Sequence, residues 1–418
     1  MEDGFPDVRK ILEAGSVKTL FQPVVSISRR SVFAVEALSR GLEPDTHEII
    51  PPALLFGRAG GGLGTELDAM CSRKALEAFG PVHHDDGGVM LSLNTDVSIL
   101  EYGSRGSHAL NRMVKDIGVS PNNVILELVE SKAADLSALM DFVSYYRRRG
   151  FLIALDDVGA GHSNLDRIPL LKPDVLKLDR SLISGVHEHF HKLEIVRCLV
   201  RLAARIGALV VAEGVETPEE ALCVLDCGVD LHQGFLYAVP EQPGSSCRGA
   251  IRMAEEVAAG HRARSTRRIS GRHEHSAAMD AVMLSLCMRL AAIPLDRMDE
   301  ELAGCIEEGP GLECMYVLDI RGAQVTSTVC DPDVLMRTRR VLYAPAEVGA
   351  DHSLKDYYIP IRAGLPKHVT RPYISLASGN RCMTYARIFR HSPSGVDLIL
   401  CVDMTAFDAE PFCVSMDE

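Results

Sequence analysis

The stretch FLIALDDVGAGHS, residues 151–163, contains the pattern from which the fold of this chain can be worked out. An apolar run from Phe151 to Leu155 is followed by two adjacent aspartates, Asp156 and Asp157, and then by a glycine-rich segment. The run predicts a buried strand that ends at the two carboxylates. Adjacent carboxylates repel each other, and they do so more strongly where the local dielectric is low. We therefore expect a partner of opposite charge at this strand end.

Further strand-sized runs, rich in Val, Ile and Leu, lie on both sides of this stretch. With it, the runs are LFQPVVSI (20–27), VFAVEAL (32–38), GVMLSLN (88–94), NVILELVE (123–130), FLIALDD (151–157), DVLKLD (174–179), ALVVAEGV (208–215) and LHQGFLY (231–237). Helix-like segments such as 137–150 and 194–208 separate them. Because parallel strands need helical crossovers, the alternation predicts an α/β fold, a (β/α)₈ TIM-like barrel.

Polar residues stand at the ends of these runs, where a barrel of this type builds its sites. In chain order they are Glu36, Asn94, Glu127, Asp156, Asp157, Lys177, Glu213 and Gln233. Confined carboxylates would take up protons unless cations neutralise them. Carboxylate and amide oxygens favour hard ions, so the set predicts a site for Mg²⁺ or Mn²⁺ with room for two ions.

Lys177 has two interpretations at this point. It is either a structural lysine paired with Asp179, or a residue that orients or helps to deprotonate an attacking water beside the metal cluster. The second interpretation is favoured by the carboxylates expected around it.

Composition limits the remaining possibilities. With 57 acidic and 44 basic residues the net charge is −13, which argues against a protein that coats DNA or RNA. The 12 cysteines form no CxxC pair, so we expect reduced thiols rather than zinc or a disulfide framework. The N-terminus lacks the order of a signal peptide, and charged residues interrupt the apolar stretches; we expect a cytoplasmic protein without membrane insertion.

The length of 418 residues favours two domains. We place the barrel in residues 1–245 and a linker with a run of arginines in residues 246–276. Residues 277–418 lack a parallel repeat. They show one helix, two strands around a turn at Asp319–Gly322 and a closing strand, which predicts a smaller α+β domain.

At the strand ends the sequence resembles the EAL domain family of cyclic di-GMP phosphodiesterases. The similar segments span residues 17–242 and are EALSR (36–40), LSLN, LELVES, ALDDVGAGHSNL, LKLDRSLI, VVAEGVET and HQGF. The resemblance implies the EAL barrel, metal-dependent hydrolysis of cyclic di-GMP (c-di-GMP) to linear 5′-pGpG, and a homodimer.

The resemblance also implies roles for individual residues. The metal-binding positions correspond to Glu36, Asn94, Glu127, Asp156, Asp157 and Glu213. Lys177 and Glu213 correspond to the catalytic residues at the attacking water, and Gln22, Arg40 and Gln233 to substrate-binding positions, with Arg40 at a phosphate. Glu130 and Glu216 correspond to acids that stabilise loops.

The loop after the paired aspartates departs from the family pattern. The family commonly has aromatic residues where this chain has Val158 and His162, and a serine where it has Asn164. Loss of two aromatic side chains would change the order of the loop, and with it the rate and its regulation.

Residues 278–408 resemble a Cache- or PAS-like sensor domain through Tyr357 and Tyr358, the RPYIS strand and the closing CVD strand. This implies an unidentified small ligand, for which Arg362, Arg371, Tyr373 and Asp403 are candidate contacts.

Three functions are compatible with the sequence. The first is c-di-GMP hydrolysis regulated by the second domain. The second is a non-hydrolysing c-di-GMP receptor or scaffold, although such proteins typically lose metal ligands that this chain retains. The third is a barrel phosphodiesterase that acts on another phosphate ester.

Overall fold

The computed structural model describes residues 7–57, 62–86, 88–95, 107–128, 136–160, 164–243, 245, 247–308, 311–333 and 344–405. Within these residues the chain forms two compact units, which divide between Ser265 and Thr266. Each unit has its own sheet and its own buried core.

A closed barrel forms the first unit and confirms the predicted fold class. Its strands are β1 (Val17–Ser26), β2 (Ser31–Leu42), β3 (Ile49–Ile50), β4 (Met90–Thr95), β5 (Val124–Leu128), β6 (Leu152–Val158), β7 (Val175–Leu178), β8 (Leu209–Ala212) and β9 (Leu231–His232). The order is β1-β9-β8-β7-β6-β5-β4-β2, β1 pairs with β2 to close the ring, and β3 pairs with β2 outside it.

Strand β1 differs from the regular (β/α)₈ pattern because it runs antiparallel to both of its neighbours, β2 and β9. The other ring pairs are parallel. Residues 27–30 form the turn from β1 to β2. Four residues are too few for a parallel crossover, so the turn dictates an antiparallel pair.

Helices cover the outside of the barrel. They are α1 (Val8–Ala14), α2 (Pro52–Gly57), α3 (Gly62–Asp86), α4 (Ser107–Asp116), α5 (Leu136–Arg147), α6 (Ile168–Leu171), α7 (Arg180–Ile183), α8 (Phe190–Ile206) and α9 (Pro218–Asp226), with 3₁₀ turns at Pro121–Asn123 and Asn164–Asp166. Helix α5 illustrates the packing: Leu139, Phe142, Val143 and Tyr146 recur at helical spacing and are all buried.

Helix α10 (Arg248–Ala292) includes most of the segment that the sequence suggested as a linker. Asp226 contacts the part of α10 that belongs to the first unit, since its carboxylate lies 3.0 Å from His261 Nε2 and 3.3 Å from Arg264 Nη2. The arginine-rich stretch contains no proline, so nothing in it interrupts the helix.

The second unit is an α+β structure with an antiparallel sheet of order β11-β10-β15-β14-β12, to which β13 adds on β14. Its elements are β10 (Leu312–Asp319), β11 (Val329–Cys330), β12 (Lys367–Val369), β13 (Tyr373–Ile374), β14 (Arg381–His391), β15 (Val396–Thr405), α11 (Met298–Glu308), α12 (Ile359–Arg362) and a 3₁₀ turn at Leu295–Arg297. The first strand of the predicted pair and the closing strand are confirmed, whereas the segment after the turn forms only isolated bridges at Ala323 and Gln324 before the two-residue β11.

Two clusters cover the two faces of this sheet. Side chains of the last turns of α10 and of α11, among them Met283 and Leu302, pack on one face. Tyr357, Tyr358 and Ile361 pack on the other. Of the proposed ligand contacts, Tyr373 and Asp403 both bond the Thr384 hydroxyl, whereas Arg362 and Arg371 are exposed.

The expectation of reduced thiols is wrong for one pair, because Cys314 and Cys330 form a disulfide. The two residues are direct partners in the β10–β11 register. Their separation of 16 positions concealed this adjacency in the sequence. Among the described residues, Cys71, Cys287 and Cys401 are buried thiols outside this disulfide.

Candidate active site

The site lies one layer above an apolar layer inside the barrel. That layer contains Val24, Ala34, Ile125, Ala154, Val175, Val211 and Leu231. Because strand side chains alternate, the residue two positions away on each strand faces the same interior. Those residues are Gln22, Glu36, Glu127, Asp156, Lys177, Glu213 and Gln233. On the reversed strand β1 the polar residue precedes the apolar one, and on the other strands it follows.

Lys177 lies at the centre of this polar layer and is only 3% exposed. Its Nζ is 2.6 Å from Glu213 Oε1, 2.8 Å from Glu127 Oε1, 3.3 Å from Asp156 Oδ1 and 3.4 Å from Glu36 Oε2. Three of these carboxylates lie in β2, β5 and β6, and Glu213 directly follows β8. The alternative in which Lys177 pairs with Asp179 is not the arrangement found, because the carboxylate of Asp179 instead caps α7 through the Ser181 N–H.

The adjacent aspartates both reach the site because the strand alternation is broken between them. Asp157 has a φ of +54°, in the left-handed region, and the β6–β7 register shifts between Leu155 and Val158. Asp is one of the few residues that tolerate this conformation. As a result, oxygen atoms of Asp156, Asp157 and Glu213 lie within 4.8 Å of one another.

Amide side chains fix the orientation of Glu36. Asn94 Nδ2 donates to Glu36 Oε1 at 2.9 Å, and Gln233 Nε2 donates to Glu36 Oε2 at 2.6 Å. Gln233 Nε2 also lies 3.2 Å from Gln22 Oε1, while Gln22 Nε2 donates to the Ala238 carbonyl at 3.0 Å. The predicted Gln22, Asn94 and Gln233 therefore form one network with the carboxylates.

The electrostatics of the site follow from its burial and its excess of acids. Burial acts to raise the pKa of Glu36, but Lys177 and the two amide donors outweigh it and hold that pKa below the usual value. Burial and the neighbouring carboxylates raise the pKa of Glu127 and raise that of Glu213 to about 8. Burial opposes the charge of Lys177, yet the surrounding carboxylates raise its pKa well above its usual range.

The donor set fits divalent metal ions. With all five carboxylates ionised, as bound cations would favour, the one ammonium leaves four negative charges, which is the charge that two divalent cations would neutralise. Within the described part of the chain, Glu127 Oε2 is buried and has no hydrogen-bond partner. A buried carboxylate oxygen without a partner is costly, and a metal ion would satisfy it. Oxygen donors of this type suit Mg²⁺ or Mn²⁺.

A cleft of about 400 Å³ adjoins the carboxylates. Glu36 and Asn94 contribute to both the cluster and the cleft, and Arg40 lines the cleft as expected for a residue that binds substrate. Phe56 from α2 and Asp68 and Cys71 from α3 also line it. Sequence reasoning missed these three residues, because helices outside the barrel carry no strand-end signal.

Ser92 is another residue that the sequence reasoning missed. It is buried and donates a hydrogen bond to Glu127 Oε1. Its position two residues before Asn94 in β4 places both on one side of the strand, a signal that could have found it.

The loop residues have different outcomes. Glu216 forms an ion pair with Arg180 at 2.9 Å. Glu130 and His162 lie outside the described residues. Val158, which replaces an aromatic residue of the family, is the last residue of β6 and packs into the barrel core.

The EAL domain model matches residues 7–240, more than half of the chain, and the chain therefore belongs to the EAL domain family. Two curated relatives are the probable cyclic di-GMP phosphodiesterase PdeB of Escherichia coli, 28% identical over 224 residues, and the cyclic di-GMP phosphodiesterase RocR of Pseudomonas aeruginosa, 27% identical over 248 residues. These alignments cover 53% and 56% of this chain but only 42% and 61% of the relatives.

Among solved structures, the Bacillus subtilis YkuI protein has the same fold over nearly the whole length. The match has a TM-score of 0.80 at 22% sequence identity and covers 96% of this chain and 99% of YkuI. That structure contains an EAL domain with its substrate c-di-GMP and calcium. In the described part of the present chain, no helix is long and apolar enough to cross a membrane.

Proposed function

We propose that this chain hydrolyses one phosphodiester bond of c-di-GMP to give linear 5′-pGpG, with Mg²⁺ or Mn²⁺ as the metal. One observation carries the proposal: four carboxylates surround a single buried lysine at the barrel mouth, a fifth, Asp157, lies beside them, and a cleft lined by Arg40 adjoins the cluster. The guanine dinucleotide as substrate is supported by the EAL family match and by the names of the relatives.

Glu36, Asn94, Glu127, Asp156, Asp157 and Glu213 would hold the metal ions, which would supply positive charge to stabilise the negative charge that builds up on the phosphate and on the departing 3′ oxygen. Arg40 binds a substrate phosphate through its fork of donors. Water attacks the phosphorus on the side opposite the departing 3′ oxygen, and the bond from phosphorus to that oxygen breaks as the new bond forms. The water gives up a proton to Glu213, and the departing 3′ oxygen takes up a proton from solvent.

Lys177 and Glu213 position the attacking water. The Lys177 ammonium keeps its proton because carboxylates surround it, so it orients the water by donating a hydrogen bond rather than by removing a proton. Glu213, 2.6 Å away, accepts a hydrogen bond from the same water. Gln233 and Asn94 keep Glu36 turned towards the site.

Chromatography of c-di-GMP incubated with the purified chain and Mg²⁺ or Mn²⁺ tests the proposal. We expect metal-dependent formation of pGpG, and a loss of at least 100-fold in rate for Glu36→Ala, since this change removes a metal ligand and the partner of three other site residues. Asp141→Ala on the exposed face of α5 is the matched control and should retain the wild-type rate.

Binding of c-di-GMP without turnover would contradict hydrolysis and favour the receptor function. If the chain neither binds nor hydrolyses c-di-GMP but hydrolyses another phosphate ester, the third function is favoured.

We also propose that the second unit is a PAS- or Cache-like sensor that regulates the barrel, and that the chain acts as a homodimer in the cytoplasm. The resemblance of the C-terminal sequence supports the sensor, and the dimers common in the EAL family support the homodimer.

Light scattering of the purified chain measures the oligomeric state, and a monomer would contradict the dimer. Fractionation of cells tests the location. Unchanged turnover across a panel of small ligands would count against regulation.

A further inference from the structure

Glu220, at the start of α9, is a buried carboxylate with an unusual number of backbone contacts. It is only 5% exposed. Oε1 accepts a hydrogen bond from the Gly185 N–H at 2.9 Å, and Oε2 accepts from the N–H groups of Glu216 at 2.9 Å and Thr217 at 3.1 Å. A capping box accounts only for the contact with Thr217, the N-cap residue. The other two contacts reach beyond the helix.

Those two contacts join the segments that follow β7 and β8. Gly185 lies just after α7, which begins three residues after Lys177 in the chain. Glu216 lies in the loop that begins with Glu213 at the end of β8. Glu220 therefore bridges the segment that follows Lys177 in the chain and the loop that begins with Glu213, and these are the two residues proposed to position the attacking water.

The bridge requires a carboxylate rather than an amide. An ionised carboxylate has two accepting oxygens and no donor, so it can serve three N–H groups. A glutamine has one accepting oxygen, and its NH₂ group would face an N–H donor. Burial acts to raise the pKa of Glu220, but the three backbone donors hold it below the usual value, which keeps the charge that the contacts need.

An ion pair at the surface also links these two segments. Arg180, the first residue of α7, pairs with Glu216 at 2.9 Å, but the two side chains are 59% and 36% exposed. Solvent screens an exposed pair, which contributes little to holding two segments in place. Glu213 N also donates a hydrogen bond to the Leu178 carbonyl at 3.0 Å. This bond joins the ends of β7 and β8 and does not reach the segments beyond them. The buried hydrogen bonds of Glu220 therefore hold the two segments together more strongly than the exposed ion pair does.

We propose that Glu220 is a positioning residue that holds the segment after β7 against the loop after β8 and thereby fixes Lys177 relative to Glu213. The inference rests on the proposed function, in which these two residues orient the attacking water. A displacement of about 1 Å in such a pair can cost about 100-fold in rate.

Three variants of the full chain separate positioning from helix capping. Glu220→Gln removes the charge and part of the bridge. Thr217→Ala removes the N-cap hydroxyl, which accepts from Glu220 N at 3.2 Å, but leaves the carboxylate contacts with Gly185 and Glu216 available. Glu219→Gln removes an exposed charge from the same helical turn.

We expect E220Q to lower kcat at least tenfold with KM changed less than threefold, while T217A and E219Q stay within twofold of wild type. Hydrogen exchange at Gly185, Glu216 and Thr217 should become faster in E220Q, and Mn²⁺ binding at least threefold weaker. If E220Q and T217A lose similar amounts of thermal stability and the decrease in kcat is no larger in E220Q than in T217A, Glu220 is only a helix cap and the proposal is wrong.

The exchange and Mn²⁺ measurements do not require turnover. Faster exchange at Gly185 together with weaker Mn²⁺ binding in E220Q but not in T217A supports positioning even if the wild-type chain hydrolyses nothing, a result that overturns the proposed function alone. Should E220Q not fold, Glu220→Asp, which keeps the charge but is one methylene too short to reach Gly185, is compared with T217A by the same criteria.

Discussion

At the scale of single residues, the site depends on one ammonium group among five acids. Lys177 contacts four of the carboxylates within 3.4 Å. It does not neutralise all of them. Burial and the neighbouring carboxylates raise the pKa of Glu213 to about 8, whereas Lys177 and two amide donors hold that of Glu36 below its usual value. The protein thus carries an excess of negative charge at the barrel mouth that divalent cations would offset.

Asp157 combines a metal-ligand position with a left-handed backbone, and substitutions can separate the two. We expect Asp157→Gly and Asp157→Ala to weaken Mn²⁺ binding equally, at least tenfold, because both remove the carboxylate. Glycine adopts a φ of +54° freely, whereas alanine pays roughly 1–2 kcal/mol.

Urea unfolding of the metal-free variants, with titration calorimetry for Mn²⁺, measures both quantities. A D157A protein at least as stable as D157G would show that the backbone at this position is not strained.

Asp403, in the second unit, provides a pH prediction. Its oxygens accept hydrogen bonds from Thr384 at 2.7 Å and Ser375 at 3.3 Å. Burial raises the pKa of Asp403 from 3.8 to about 6, against the effect of these hydroxyls. A raised folded-state pKa means that the stabilisation is fully present below the unfolded pKa and is lost as the pH rises through about 6.

Asp403→Asn removes this dependence. Relative to wild type, D403N should gain about 2.4 kcal/mol between pH 4 and pH 7, most of the effect of a pKa shift of about two units. Hydrogen exchange of peptides from β14 and β15 across this range measures the change. Asp397→Asn, an exposed residue of the same strand, is the control. Equal pH slopes in wild type and D403N would contradict the prediction.

At the scale of elements, strand direction was less predictable than strand position. All eight runs were recognised from composition and length, since buried strands are rich in branched apolar residues. The reversal of β1 was missed, although two signals were present. The link from β1 to β2 is only residues 27–30, and Gln22 precedes its apolar partner Val24 whereas Glu36 follows Ala34.

The regular alternation of side chains along strands explains how much of the site was predictable. Residues at strand ends follow from the period of two and the parallel order, which is why Glu127, Asp156 and Lys177 were found together. Residues supplied by helices, such as Asp68, and buried bridges, such as Glu220, depend on how helices dock on the barrel. No local pattern records that docking.

Gly234 tests how tightly the ends of β8 and β9 fit. A Cβ at this position would lie 2.1 Å from the Val215 carbonyl oxygen and 2.3 Å from its nitrogen. Backbone hydrogen bonds hold these segments together, since Val215 N donates to Gln233 O at 3.0 Å and Leu236 N donates to Val215 O at 3.1 Å. The backbone cannot move away without breaking them.

We expect Gly234→Ala to lose about 3 kcal/mol of unfolding free energy, at the upper end of overpacking costs. Gly249→Ala, in α10 with open space around the added Cβ, should be neutral or slightly stabilising. Urea unfolding compares the two variants. Surface substitutions usually change the unfolding free energy by about 0.5 kcal/mol or less, so a loss of less than about 0.5 kcal/mol in G234A would refute the steric argument.

At the scale of the whole molecule, the described residues form two compact units, each with its own buried clusters. The barrel core and the core of the second unit share no residue. A ligand stabilises only the folded structure that binds it, so metal ions are expected to act on one of the two cores.

We therefore expect Mn²⁺ to protect the two units unequally. At a concentration of about 100 times Kd, binding at the barrel should raise the unfolding free energy of the first unit by about 2.7 kcal/mol. Hydrogen exchange should slow in peptides from β5, β6 and β8 and remain unchanged in β14 and β15. In Glu36→Ala the protection of the barrel should disappear, whereas D403N should respond like wild type. Protection of β14 and β15 by Mn²⁺ would show either a second metal site or coupling between the two units, and so would contradict their independent response to the metal.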